Sequence, residues 1–438
     1  MRPGSPVRRS ARDRLEEALA RIADPRGESK RTYLTVYADR ARAEADAADR
    51  RAASGTALSP LDGAIVSIKD LFDVAGEPTR AGSKVLADAP PAATDASVVQ
   101  RLRKAGAVIV GKTNMSEFAF SIIGTNSHYG TPGNPADRSR IPGGSTSGGA
   151  VAVADGMCEI AIGTDTGGSC RVPAALCGIV GYKPTKSRVP TEGAYPLSPT
   201  LDSVGPLART VEDCAKADAI LAGEKPWTLE PAPLQGLRLA IPQGLPLRDL
   251  DATVSAAFDA ATRQLGQAAA ELFETQFPLL DEMARVNSRA AISLVEGFRI
   301  HKDRLATQPE NYDPFVRARL ENGRYVSSAE LAEVLDERNK LVREMDSALS
   351  SFDALILPTN AIVAPTMAEV STLEGFVARN RLLLRNTGIA NFFDLCAISL
   401  PMPHLGPLPT GLMLVARRGQ DRRLFQIAAA VEGLLTGN

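Results

Sequence analysis

Short apolar runs recur along the chain at 64–68 (AIVSI), 107–110, 160–162, 237–241, 354–357, 397–400 and 411–416, with helical patterns between them. Runs of this length suit buried strands rather than helices, and strands that alternate with helices pack as a sheet between helical layers. The predicted class is therefore α/β, with a mixed sheet. Residues 13–23 set Leu15, Ala18, Leu19 and Ile22 at helical spacing, and 37–52 are rich in Ala, Arg, Asp and Glu, so 1–55 reads as a helical N-terminal segment. Residues 95–104 form a further helix with Val98, Val99 and Leu102 inward, closed by Gly106. Pro226, Pro231 and Pro233 mark 223–236 as a connection between a first half, 60–220, and a second half, 237–438, whose stretch 251–350 turns helical and charged. The stretch 223–236 reads as joining the two halves rather than as a flexible interdomain linker.

Lys and Arg number 50 against 51 Asp and Glu, which leaves no basic excess to attract nucleic acid and makes a small molecule the expected partner. No window approaches a membrane span, and the start lacks the apolar stretch of a secretory signal. Five cysteines, an odd number, show no CxxC pair and no metal-like spacing with the three histidines, which predicts buried thiols, a cytoplasmic setting, no metal and no cofactor.

Residues 106–113, GAVIVGKT, match the phosphate-loop pattern letter for letter. That pattern works only when its four variable residues form a loop whose N–H groups face phosphate. Ala-Val-Ile-Val instead favours the strand itself, so a nucleotide site is not expected and Lys112 reads as a structural residue at a strand end.

Two glycine-rich stretches remain. Residues 163–171 read GTDTGGSCR, directly after the run at 160–162, and place Ser169 at a strand-to-helix junction; residues 142–149 read PGGSTSGG and carry Ser145. Glycines free such loops to bend, and the N–H groups at a helix start lack partners, so Ser169 is either an N-cap or a hydroxyl beside an anion-stabilising pocket. Lys69 ends the 64–68 run, and ligands gather at the carboxyl edges of open α/β sheets. A serine nucleophile needs a base, and a lysine serves when burial keeps it neutral. Cys170 has no base near it in sequence, and a catalytic role is not expected for it.

Taken together, GGSTSGG, GTDTGGSCRVPAALCGIVGYKPT, VSIKD, GKTNMSEFAFS and the tail LPTGLMLVARRGQDRRLFQIAAAVE resemble the amidase signature enzymes over most of the chain. The resemblance implies a single large α/β/α domain around a twisted mixed sheet, and a Ser-cisSer-Lys mechanism. Ser169 would be the nucleophile, Ser145 the bridging serine on a cis peptide after Gly144, and Lys69 the base. The N–H groups of Thr166, Gly167, Gly168 and Ser169 would form the oxyanion hole. Ala119, Phe120 and Ser121 match the substrate-lining segment, with Phe120 either a pocket wall or a core residue. Thr146 and Ser147 would bond the local backbone or support the proton network; Asp165 would shape the loop; Arg171 would order it by ion pairing; His128 and Tyr129 would be structural. The stretches 360–366 and 391–396 are expected to complete the pocket.

The implied activity is hydrolysis of an amide or carbamate C–N bond through a seryl acyl-enzyme. The stretch NFFDLCAISLP resembles allophanate hydrolases, whose longer members carry an extra C-terminal domain that is missing here. The early end at Asn438 points away from a glutamine-hydrolysing component of an amidotransferase and toward a free-standing enzyme, with a homodimer left open.

Overall fold

The computed structural model describes residues 9–437. Eleven strands form one mixed sheet: β1 (Tyr33–Val36), β2 (Ile65–Lys69), β3 (Val108–Thr113), β4 (Ile160–Thr164), β5 (Val180–Lys183), β6 (Val204–Ala208), β7 (Arg238–Pro242), β8 (Glu271–Thr275), β9 (Ala354–Pro358), β10 (Cys396–Pro401) and β11 (Gly411–Ala416). Their order is β1-β3-β2-β4-β6-β5-β10-β11-β9-β7-β8. Parallel blocks β3-β2-β4 and β9-β7-β8 flank an antiparallel centre.

All seven apolar runs are strands. Every residue of β2, β3, β4 and β9 is buried, as expected of strands covered on both faces. Alternation along β3 sends Ile109 to one face, with Val66, Ile68, Val99 and Leu102, and sends Val108 and Val110 to the other, with Leu15 and the helix Ser147–Ala154. The phosphate-loop match 106–113 lies largely within β3, and its amides are committed to the sheet. Lys112 is buried there, and its Nζ has no hydrogen-bond partner among the described residues.

Two strands fall where helix was expected. β1 lies within the N-terminal segment and pairs antiparallel with β3 at one sheet edge; β8 lies within 251–350 and forms the opposite edge. Otherwise the helical readings hold: Ala11–Ala23 begins at Ser10, whose Oγ accepts from the Asp13 N–H at 3.0 Å, and Ser97–Lys104 buries Val98, Val99 and Leu102. Among the described residues, no helix is long and apolar enough to cross a membrane.

Candidate active site

β2 and β4 are parallel neighbours with Ile68 opposite Ile162, so their carboxyl ends lie side by side. One delivers Lys69 and the other Thr164, followed by the loop 165–170. Lys69 is fully buried, and its Nζ lies 2.7 Å from Ser145 Oγ and 2.9 Å from Thr164 Oγ1. Burial lowers the Lys69 pKa from the ordinary 10.5 to about 8, with Asp165 and Asp202 opposing the shift. The amine can therefore be neutral near physiological pH.

Ser145 follows a cis Gly144–Ser145 peptide, and its carbonyl accepts from the Ser116 N–H at 3.1 Å. The next residue ties the two serine loops together, because the Thr146 N–H donates to the Ser169 carbonyl at 3.3 Å. The helix Ser147–Ala154 then packs closely: a Cβ at Gly148 would stand 2.5 Å from the Thr32 carbonyl oxygen. Neither Thr146 Oγ1 nor Ser147 Oγ has a partner among the described residues, so neither hydroxyl makes the local backbone bond that a turn role would require.

A buried polar network pins the loop that carries Ser169. Arg171 grips Asp165 with two bonds, Nε to Oδ2 at 3.0 Å and Nη2 to Oδ1 at 2.9 Å, and also donates to the Thr387 carbonyl and Asn391 Oδ1. Burial alone would raise the Asp165 pKa, but the Arg171 guanidinium and the Asn391 amide hold it at about 2. Thr387 Oγ1 donates to the Gly167 carbonyl at 2.6 Å, and Thr166 Oγ1 donates to Asp202 Oδ1 at 2.5 Å. Ser169 itself is 4% exposed. Among the described residues, no protein group accepts a hydrogen bond from the N–H groups of Thr166, Gly167, Gly168 or Ser169. Four neighbouring free amides can stabilise an oxygen anion.

A cavity of about 50 Å³ opens onto this loop, lined among others by Ser169, Thr166, Gly167 and the expected Ala119, Phe120 and Ser121. Ala119 and Leu197 also border a second cavity of about 230 Å³ that reaches Thr164 and Asp202. Phe120 is both wall and core, since it is 4% exposed and lines the smaller cavity. Neither 360–366 nor 391–396 lines either cavity, and Arg171 and Asp165 occupy the Asn391 amide. Leu384, Ser293 and Arg319 line the smaller cavity instead, all from helices of the second half. Of the site residues that the sequence pattern did not mark, only Thr164 carried a local signal, its place at a strand end beside the glycine loop.

The remaining candidates fall into structural roles. His128 Nε2 lies 2.7 Å from Glu117 Oε1. Cys170 is fully buried, its N–H donates to Asp165 Oδ2 at 3.1 Å, and burial raises its thiol pKa well above the usual range. All five cysteines are free and buried.

Residues 13–425 match the Amidase family, and the chain belongs to that family of amidase signature enzymes, hydrolases of carbon–nitrogen bonds. It is 38% identical over 415 residues to 2-amino-5-chloromuconic acid deaminase from Comamonas testosteroni, covering 92% of this chain and 88% of the relative. It is 36% identical over 460 residues to the A-type component of glutamyl-tRNA(Gln) amidotransferase from Anaeromyxobacter dehalogenans (strain 2CP-C), covering 97% and 92%. A crystal structure of an amidase superimposes with a TM-score of 0.87 at 34% identity, covering 98% of this chain and 96% of that one.

Proposed function

We propose that the protein is a free-standing amidohydrolase that cleaves an amide or carbamate through an acyl-enzyme on Ser169. The observation that carries this reading is the buried Lys69–Ser145 contact beside a serine loop with four unpartnered amides. When Lys69 is neutral, its Nζ lone pair accepts the Ser145 proton, and Ser145 Oγ takes the proton of Ser169 as Ser169 Oγ attacks the carbonyl carbon. The N–H groups of Thr166, Gly167, Gly168 and Ser169 hold the oxyanion. Collapse of the tetrahedral adduct breaks the C–N bond, and Ser145 returns a proton to the leaving nitrogen. Water then enters, gives its proton along the same route and releases the acid. Ala119, Phe120 and Ser121 bound the substrate. Five unpaired cysteines suit a reducing cytoplasm.

The deciding experiment is a panel of amides, carbamates and ureas with the purified chain, followed by mass spectrometry of the peptide that contains Ser169. An acyl mass on Ser169 supports the reading, and turnover without one refutes it. The likeness to an amidotransferase component favours a second reading, glutamine hydrolysis in a larger assembly. Glutaminase activity that appears only with added partner proteins would support that reading, and hydrolysis of simple amides by the isolated chain would oppose it.

A further inference from the structure

At the amino ends of β2 and β4 lies a cavity that the hydrolase reading leaves unused. Its volume is about 450 Å³, larger than either cavity at the active site, and Ile65 and Ile160, the first residues of the two strands, border it. Lys69 and Thr164 close the same strands, so the two sites sit at opposite strand ends. The lining carries five cations against three carboxylates. Glu17 is held by Arg9 and Glu159 by Arg14, Asp213 accepts from Thr210 Oγ1 at 2.9 Å, and Lys216 pairs with Glu212.

Arg21 and Arg209 are the cations left over. Arg21 Nη1 donates to the Asp155 carbonyl at 3.1 Å, and Arg209 donates from Nε and Nη2 to the Val153 and Ala154 carbonyls at 3.2 and 3.0 Å. These carbonyls lie at the end of the helix Ser147–Ala154, whose negative dipole end draws both guanidiniums to one place. Neither arginine pairs with a carboxylate among the described residues, and most of their N–H groups have no acceptor there. A Cβ at Gly156 would stand 3.2 Å from Arg21 Cζ and 3.4 Å from Arg209 Nη2, so the two guanidiniums flank one glycine and are no farther apart than those distances combined. Both side chains are exposed, and Arg14 in the same lining leaves its buried Nε without a partner among the described residues.

Like charges this close repel, and an anion that bridges them removes the repulsion while engaging the free N–H groups. A guanidinium fork fits the oxygens of a phosphate, and two forks side by side fit two linked phosphoryl groups. The volume falls within the roughly 300–1,000 Å³ of small-molecule sites, which leaves room beyond the charged end. We infer that this cavity binds a diphosphate, free or esterified, between Arg21 and Arg209. The site uses none of the residues of the proposed hydrolase chemistry and stands independently of it.

Calorimetric titration with pyrophosphate, ADP and citrate at about 0.1 M ionic strength provides the test. Pyrophosphate or ADP should bind with a sub-millimolar Kd, and citrate at least about 10-fold more weakly. Tighter binding of ADP would assign the site to a diphosphate ester, and tighter binding of pyrophosphate to the free anion. Arg21→Gln and Arg209→Gln keep a donor for the helix carbonyls but remove the charge; each should weaken binding by about 10-fold, and the pair by more. Ser169→Ala should bind as wild type does, and so should Arg263→Gln, which alters an exposed arginine on the helix Ala252–Gln267. Melting curves without ligand check that the variants are folded, and the single changes carry the test if the pair melts early. No binding of either phosphate up to about 10 mM, or unchanged binding in the two glutamine variants, would overturn the site. Citrate bound as tightly as the phosphates would overturn the diphosphate assignment, and loss of binding in Ser169→Ala would place the anion at the active site instead.

Discussion

Thr387 Oγ1 donates a 2.6 Å hydrogen bond to the carbonyl of Gly167. A peptide unit is planar with its C=O and N–H on opposite sides, so fixing the Gly167 oxygen also turns the Gly168 N–H away from Thr387. One side chain on the helix Leu373–Phe392 thereby sets the direction of an amide in the proposed oxyanion hole.

Gly168→Ala tests that arrangement. Gly168 has φ +142°, a conformation that side chains rarely adopt, and a Cβ there would meet Thr387 Oγ1 at 2.3 Å. The expected result is a fall in kcat of about 10²-fold or more, since a displaced oxyanion donor costs that much. The labelling rate of Ser169 should fall in parallel. Unchanged labelling would show that the Gly168 amide has no part in the chemistry.

Ser169→Ala should abolish acyl-enzyme formation and lower turnover by on the order of 10³-fold or more, because no other group can make the covalent bond. Circular dichroism and a melting curve should match wild type closely. Retained turnover with a trappable adduct elsewhere would rule out Ser169 as the nucleophile.

Activity should rise as pH passes through about 8, where Lys69 loses its proton. Lys69→Arg should be as inactive as Lys69→Ala, because a guanidinium accepts no proton at usable pH. Stability carries the same signature. Between about 8 and 10.5 the unfolded chain binds a proton at Lys69 that the folded protein does not, so folding is penalised at low pH and stabilised as pH rises through that window. Chemical denaturation of wild type and Lys69→Met at pH 7.5 and 10 should therefore show the wild type gaining relative to the variant; no relative gain would place the amine in contact with water.

Arg171→Met strands the carboxylate of Asp165, which is buried at 0% exposure. Removing one member of a buried pair costs about 3–5 kcal/mol, more than removing both. Urea denaturation should show Arg171→Met less stable than the double variant Arg171→Met/Asp165→Asn. The reverse order would mean that the pair contributes net stability beyond relieving the stranded charge.

Cys170→Ala should keep activity within several-fold of wild type. Its thiol pKa is raised by burial and its Sγ donates to the Gly205 carbonyl at 3.5 Å, so it is neither ionised nor free to attack. Loss of acyl-enzyme in this variant would revive the cysteine as a nucleophile.

Much of the fold could be read because its signals are local. The apolar runs at 64–68 and 107–110 each reported a strand without reference to the rest of the chain. β5 and β6 were hidden by Gly181 and by Gly205 and Pro206, residues that ordinarily argue against a strand. Tertiary pairing accommodates them: β5 meets β6 only at Ala208 and Leu207, so Pro206 has no β5 partner. β1 and β8 are edge strands whose mixed polar, part-exposed residues give no apolar run to rise above the helical composition around them.

The sequence by itself determined the alternating α/β order, the two glycine-rich loops that bend around Ser145 and Ser169, and the position of Lys69 at a strand end, because each depends on neighbours within a few residues. Only the tertiary structure decided that Lys69 is dry enough to sit near a pKa of about 8, that Thr387 reaches back 220 residues to hold Gly167, and that Arg21 and Arg209 flank Gly156. Those properties are desolvation and contact between distant segments, and periodicity along the chain carries no record of which surfaces will meet.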